Sequence, residues 1–265
     1  MPHATADDGT TIAFDVKGNG EPLVLIAGRA CSHRWWDQVR GDFAAGYRTI
    51  ALDAAGTGDS GERAEDEYGT RRFAADVVAV LDAADVARAH VYGTSMGGKV
   101  AQRLAIDHPG RVAALVLGCT SPGGAGAVAP GPEVLRVLAG PRDPARDEAL
   151  LDLMFTPDYV RRHPGPHHVV PDDSMSPAAR SGHRHADDEH DAWDELARIT
   201  APTLVVHGSD DLLCPTDNGS RIADRVPGAE LAVIDGARHA YFEEFRDEAG
   251  AVVLTFLSRH ALPAR

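Results

Sequence analysis

The stretch HVYGTSMGGKVAQRLA, His90 to Ala105, sets one serine among three glycines, between a short apolar run and a helical pattern. Ala89 to Tyr92 has the length and character of a buried strand, while Val100, Leu104 and the intervening alanines repeat at helical spacing. A strand that passes into a helix within a few residues must turn sharply. Gly93 and Gly97 stand two residues either side of Ser95, and their missing side chains allow close backbone approach at such a turn. Ser95 would then project its hydroxyl outward, with a helix starting at about Met96 aiming free N–H groups and the positive end of its dipole at the same place. Serine is also a favoured helix N-cap, so these residues alone leave two readings open, a nucleophile or a capping residue.

The rest of the chain supplies the order around this turn. His3 to Ala6 and Thr10 to Val16 read as paired strands joined through Asp8-Gly9. Leu23 to Ile26, Thr49 to Leu52, Ala113 to Leu117, Thr203 to His207 and Leu231 to Ile234 are further short buried strands. Helices are expected at Arg71 to Ala83, Arg221 to Val226 and Glu244 to Ser258. Alternation of this kind implies a mostly parallel sheet covered on both faces. From about Pro122 to Glu195 the rhythm breaks into a Gly-, Pro-, Asp- and His-rich segment, with helix-like pieces at Glu133 to Leu138, Glu148 to Phe155 and Ala192 to Ile199. It reads as a cap inserted into the core. Its histidines, His163, His167, His168, His183, His185 and His190, match no metal-ligand spacing, so solvated or pocket-lining roles are expected and no metal site.

A chain of 265 residues with 43% hydrophobic content is long enough for one large α/β domain with an insertion. The formal charge of -14, with its Lys and Arg scattered, argues against phosphate backbones and anionic membrane surfaces, so neither nucleic acid nor membrane is expected as a partner. No basic, apolar leader and no run of membrane-spanning length is present, and the expected location is cytoplasmic. Cys31, Cys119 and Cys214 are odd in number and far apart, which suits small buried residues rather than disulfides.

A serine hydroxyl needs a general base, and the base needs an acid that fixes its tautomer. LVVHGSDDLLCP places an acid just after one buried strand, and LAVIDGARHAYFEEF places a histidine just after the next. Asp211 and His239 are the candidates, giving the chain order Ser95, Asp211, His239.

With GTSMGG, HGSDDLLCP, DGARHAYFEE and IALDAAGTGDSG in place, the sequence resembles the α/β-hydrolase superfamily over almost its entire length. The resemblance implies a mostly parallel eight-stranded sheet with helices on both faces and an inserted helical cap. The core would span 1–121 and 196–265, with the cap at 122–195. In such proteins the acid stands three residues after the strand-end glycine and four before a proline, which from Gly208 and Pro215 selects Asp211, with Asp210 as the alternative. The oxyanion donors implied are the backbone N–H of Met96 and, in LIAGRACSHRWWDQV, that of Arg29. Two departures stand out: Ala27-Gly28 replaces the usual His-Gly, and the frequent arginine is absent from DAAGTGDS. Arg29 could therefore face the pocket and favour a substrate carrying a carboxylate; otherwise it points to solvent or pairs with Asp53 or Asp59. Trp35 and Trp36 are candidates for one pocket wall, and Met154, Phe155, Tyr159 and Met175 for an apolar cap lining.

The capped members that the sequence resembles include enol-lactonases, carboxylesterases and cofactor-free haloperoxidase-like esterases. The implied function is cofactor-independent cleavage of an ester or lactone of a small to medium organic molecule. A lyase or cyclase on the same fold, or a ligand-binding protein with a vestigial site, are the alternatives. Dehalogenase and epoxide hydrolase chemistry would want a carboxylate where Ser95 stands.

Overall fold

The computed structural model describes residues 1–140, 143–172 and 174–262. Eight strands form one sheet: β1 (His3–Thr5), β2 (Thr11–Lys17), β3 (Glu21–Ile26), β4 (Tyr47–Leu52), β5 (Ala89–Thr94), β6 (Val112–Gly118), β7 (Thr203–Gly208) and β8 (Glu230–Ile234). Their spatial order is β1-β2-β4-β3-β5-β6-β7-β8. The β1–β2 and β2–β4 pairs are antiparallel, and every later pair is parallel. The expected hairpin forms at Asp8-Gly9, where Gly9 takes a φ of 86° that a side chain would resist.

Helices α1 (Arg40–Ala44), α2 (Thr70–Ala83) and α3 (Met96–Asp107) follow β3, β4 and β5. Between β6 and β7 run α4 (Pro132–Ala139), α5 (Pro144–Met154), α6 (Pro157–Arg162) and α7 (Pro177–Asp188). The chain closes with α8 (Asp217–Arg225), α9 (Tyr241–Glu244) and α10 (Arg246–Ser258). The expected helix at Ala192 to Ile199 is a tight 3₁₀ turn at Trp193–Arg198, and the helix expected from Glu244 is split by Phe245 into α9 and α10.

The central strands bury both faces, so alternate residues belong to separate cores. Val24 and Ile26 of β3 pack with α2 and α3 residues such as Val77, Leu81 and Leu104. Leu23 and Leu25 face the other way, toward Trp36, Phe43 and the α10 residues Val253 and Phe256. The parallel strands thus all point their C-terminal ends to one edge, where the connecting loops gather and ligands of open α/β sheets bind. Cys31 and Cys119 are buried, Cys214 is half-buried, and all three are free thiols. No helix of the described residues is long and apolar enough to cross a membrane.

Candidate active site

At the end of β5 the chain turns through Ser95 with φ 55° and ψ −127°, and α3 begins at the next residue. A non-glycine residue there carries roughly 1–3 kcal/mol of backbone strain, which the surroundings must offset. Four hydrogen bonds hold it: the Ser95 amide donates to the Gly118 carbonyl at 2.9 Å, and its carbonyl accepts from the Gly98 amide at 3.0 Å, the Lys99 amide at 3.3 Å and the Thr120 hydroxyl at 2.7 Å. The flanking glycines are needed for contact. A Cβ on Gly93 would stand 2.2 Å from the Gly97 carbonyl oxygen, and one on Gly97 would stand 2.2 Å from that of Ile26.

Asp211 and His239 come from the loops after β7 and β8. These loops abut so closely that a Cβ on Gly208 would lie 2.2 Å from the Ala237 carbonyl oxygen. His239 Nδ1 and Asp211 Oδ2 are 2.8 Å apart, and both side chains are buried. The other carboxylate oxygen, Oδ1, accepts from the amides of Leu213 at 3.0 Å and Cys214 at 2.8 Å. Burial alone would raise the Asp211 pKa, but the His239 and His207 rings beside it bring it down to about 2. At neutral pH Asp211 is therefore an acceptor only, which puts the proton of His239 on Nδ1 and leaves the Nε2 lone pair free. That Nε2 is buried and has no hydrogen-bond partner among the described residues. Asp210 is exposed and accepts from the Ser209 hydroxyl at 2.8 Å instead.

Ser95, His239, Met96 and Arg29 all line one cavity of about 490 Å³. The Arg29 and Met96 amides take no part in the backbone hydrogen bonds found in the turns and loops of the described residues. One wall, from α4, α5 and the loop after β7, is apolar, with Leu135, Leu138, Leu150, Met154 and Leu213. The polar part of the lining includes Arg29, Lys99, Asp187 and His190. Burial, reinforced by the nearby Lys99 and Arg103 charges, pushes the His190 pKa down to about 3, so this histidine is neutral at neutral pH.

The family model for the alpha/beta hydrolase fold matches residues 21–245. The chain belongs to this family. It is 33% identical to a non-heme haloperoxidase of Rhodococcus erythropolis, over 97% of this chain and 99% of that one. It is 32% identical to the rhodomycin D methylesterase DauP of Streptomyces sp. strain C5, over 83% and 85% of the two chains. Among solved structures it is similar to Est816, titled an N-acyl homoserine lactone degrading enzyme, at 31% identity and a TM-score of 0.80 over 96% and 100% of the chains.

Within this α/β-hydrolase frame several expected pocket residues lie elsewhere. Trp35 and Met154 line the cavity, whereas Trp36, Phe155, Tyr159 and Met175 do not. Successive residues of the tight turn His33–Trp36 point about a third of a turn apart, so Trp35 and Trp36 cannot share a wall. Trp35 hydrogen-bonds Thr94 Oγ1 at 2.9 Å, and Trp36 is fully buried against Tyr92 and Phe242. Phe155 leaves α5 in extended conformation and stacks on Tyr159, whose hydroxyl donates to Glu243 at 3.3 Å. Met175 packs in the core on the α2–α3 side of the sheet.

Arg29 lines the cavity, and its guanidinium pairs with neither Asp53 nor Asp59. Asp53 Oδ1 is taken by the His33 amide and ring, and Oδ2 by the Asp59 amide. Arg29 Nη1 meets Asp187 Oδ2 at 3.0 Å. Arg29 is thus already ion-paired within the protein, so its side chain no longer argues by itself for a carboxylate-bearing substrate. Asp187 was not singled out in the sequence, and neither were two further residues of this site. His207 reaches the Cys214 carbonyl at 2.7 Å and lies 3.4 Å from Asp211 Oδ2. Lys99 reaches Asp187 Oδ1 at 2.7 Å. Only the placement of His207 at a strand end, four residues before Asp211, was a local signal for either.

Proposed function

We propose that the protein is a serine hydrolase that cleaves an ester or lactone of a small to medium organic molecule through an acyl-enzyme on Ser95. The observation that carries this reading is the buried Asp211–His239 pair, with His239 and a strained Ser95 lining the same cavity. His239 Nε2 takes the hydroxyl proton as Ser95 Oγ attacks the carbonyl carbon, and the Arg29 and Met96 amides hold the resulting oxyanion. The C–O bond to the alcohol breaks as His239 returns the proton to it. Water, deprotonated by His239, then attacks the acyl-enzyme and releases the acid, restoring Ser95. Asp211 stabilises the imidazolium formed in each half and needs no protonation itself.

The helices between β6 and β7, within the segment 122–195, act in this reading as a cap that sets pocket shape. A cavity of about 490 Å³ with one apolar wall suits a substrate with a hydrophobic arm. The methylesterase and the lactone-degrading enzyme named above support an ester or lactone bond. Ser95→Ala should lower turnover of p-nitrophenyl butyrate by roughly a millionfold while the protein stays folded. Retention of more than a few per cent of activity would rule the mechanism out.

A further inference from the structure

The two proposed oxyanion amides sit on different elements, Arg29 on the loop after β3 and Met96 on the first turn of α3. One side chain of the cap segment pairs with residues of both elements. Asp187, near the end of α7, places Oδ2 at 3.0 Å from Arg29 Nη1 and Oδ1 at 2.7 Å from Lys99 Nζ. Its backbone carbonyl accepts from the same Lys99 Nζ at 2.8 Å. Lys99 stands one turn beyond Met96 on α3, and a helical side chain leans back over the turn before it. Asp187 is thereby tied to the backbone that carries Met96 as well as to the residue that carries the other donor.

The same helix face holds the next residue of the loop. His183, one turn before Asp187, accepts from the Ala30 amide at Nδ1 (3.3 Å), while its Nε2 lies 2.8 Å from the Ala55 carbonyl oxygen. The Asp172 amide donates to the Ala30 carbonyl at 2.7 Å. Ala30 has a φ of 60°, a conformation that a non-glycine residue keeps only when its surroundings enforce it. Both of its backbone polar groups are therefore held by residues 172 and 183 of the cap segment.

We infer that Asp187 is a positioning residue, which fixes the separation and aim of the Arg29 and Met96 amides by bridging Arg29 to Lys99. This rests on the serine-hydrolase reading. Burial works to raise the Asp187 pKa, but the Lys99 and Arg29 charges hold it below the ordinary carboxylate value, so the bridge is ionised at neutral pH. Without the carboxylate, the Arg29 and Lys99 cations would lose their shared partner, and α7 would hold the loop only through His183 at Ala30. The cap segment would thus serve as part of the framework of the reacting centre as well as its cover.

Asp187→Ala and the isosteric Asp187→Asn test this, with kcat and KM for p-nitrophenyl butyrate, the rate of Ser95 phosphonylation by a fluorophosphonate, and the melting temperature measured together. A misplaced oxyanion donor should lower kcat and the phosphonylation rate in parallel, by about tenfold to a hundredfold, with KM moving less than about threefold. In an Arg29→Met, Lys99→Met background, which keeps both amides, Asp187→Ala should change kcat less than about twofold, because the bridge is already gone. Unchanged kcat with a lowered melting temperature would make Asp187 merely structural, and a rise in KM alone would make it a substrate contact. A full loss of kcat in the double-Met background would likewise overturn the inference. Turnover surviving Ser95→Ala would instead show that the hydrolase reading is at fault.

Discussion

Gly97→Ala adds one methyl group where the turn and the oxyanion loop touch. The new Cβ would stand 2.2 Å from the Ile26 carbonyl oxygen and 2.5 Å from that of Ala27, where ordinary contact starts at 3.4 Å. Both obstacles are backbone atoms, so no rotamer change relieves the clash, and α3 must draw away from the end of β3 by about 1 Å. Met96 moves with α3, while Arg29 stays with the loop that follows Ala27. The two proposed oxyanion donors therefore separate, and a displacement of about 1 Å in such a site costs roughly a hundredfold in kcat/KM. Overpacking should also cost about 1–3 kcal/mol of stability, read from urea unfolding. Gly250→Ala is the control: it lies within α10 with nothing inside 4 Å of its Cβ position, and should gain about 0.5–1 kcal/mol with activity unchanged. If Gly97→Ala kept kcat/KM within about threefold and the same stability, the argued closeness of turn and loop would be refuted.

Asp211→Asn should lower kcat by roughly four orders of magnitude, because an amide cannot hold His239 in the Nδ1–H tautomer, whereas exposed Asp210→Asn should stay within about threefold; reversed losses would move the acid to Asp210. Burial, with the Arg29 and Arg63 charges and against the pull of Ala55 O and Asp187, lowers the His183 pKa from 6.5 to about 4. The unfolded chain then takes up its proton first as pH falls, so stability tied to this ring is complete above pH 6.5 and is lost between pH 6.5 and 4, by up to about 3 kcal/mol. Burial pushes Glu243 up to about 7, which runs the other way, so the readout is the difference between wild type and His183→Gln in urea melts across that window. A constant difference from pH 7 to 4 would contradict the assignment.

Local backbone demands were legible in the sequence, and long-range side-chain pairings were not. The glycines around Ser95 and the apolar runs that became β3 to β8 carry their reason within a few residues. Helix α7 does not. Its buried face is Ala179, Gly182, His183 and Ala186, which has helical spacing but no large apolar residue to mark it. Helix α6, six residues long, likewise gave no repeating pattern. Arg29 announced itself by its place after Gly28, yet its partner Asp187 lies 158 positions away, on the helix that the pattern missed. The Trp35-Trp36 pair shows the same limit at short range: composition suggested a wall, and only the tight turn separates a cavity residue from a core residue.

The central claim is that Ser95 is the nucleophile, and active-site labelling measures it directly. Wild-type protein incubated with a fluorophosphonate should gain one phosphonyl group, located on Ser95 by peptide mass spectrometry, and lose ester turnover in proportion to labelling. His239→Ala should react at least about a thousandfold more slowly, since the hydroxyl loses its base. Full ester turnover in protein whose Ser95 is completely phosphonylated, or a label that settles on another residue while activity disappears, would contradict the account.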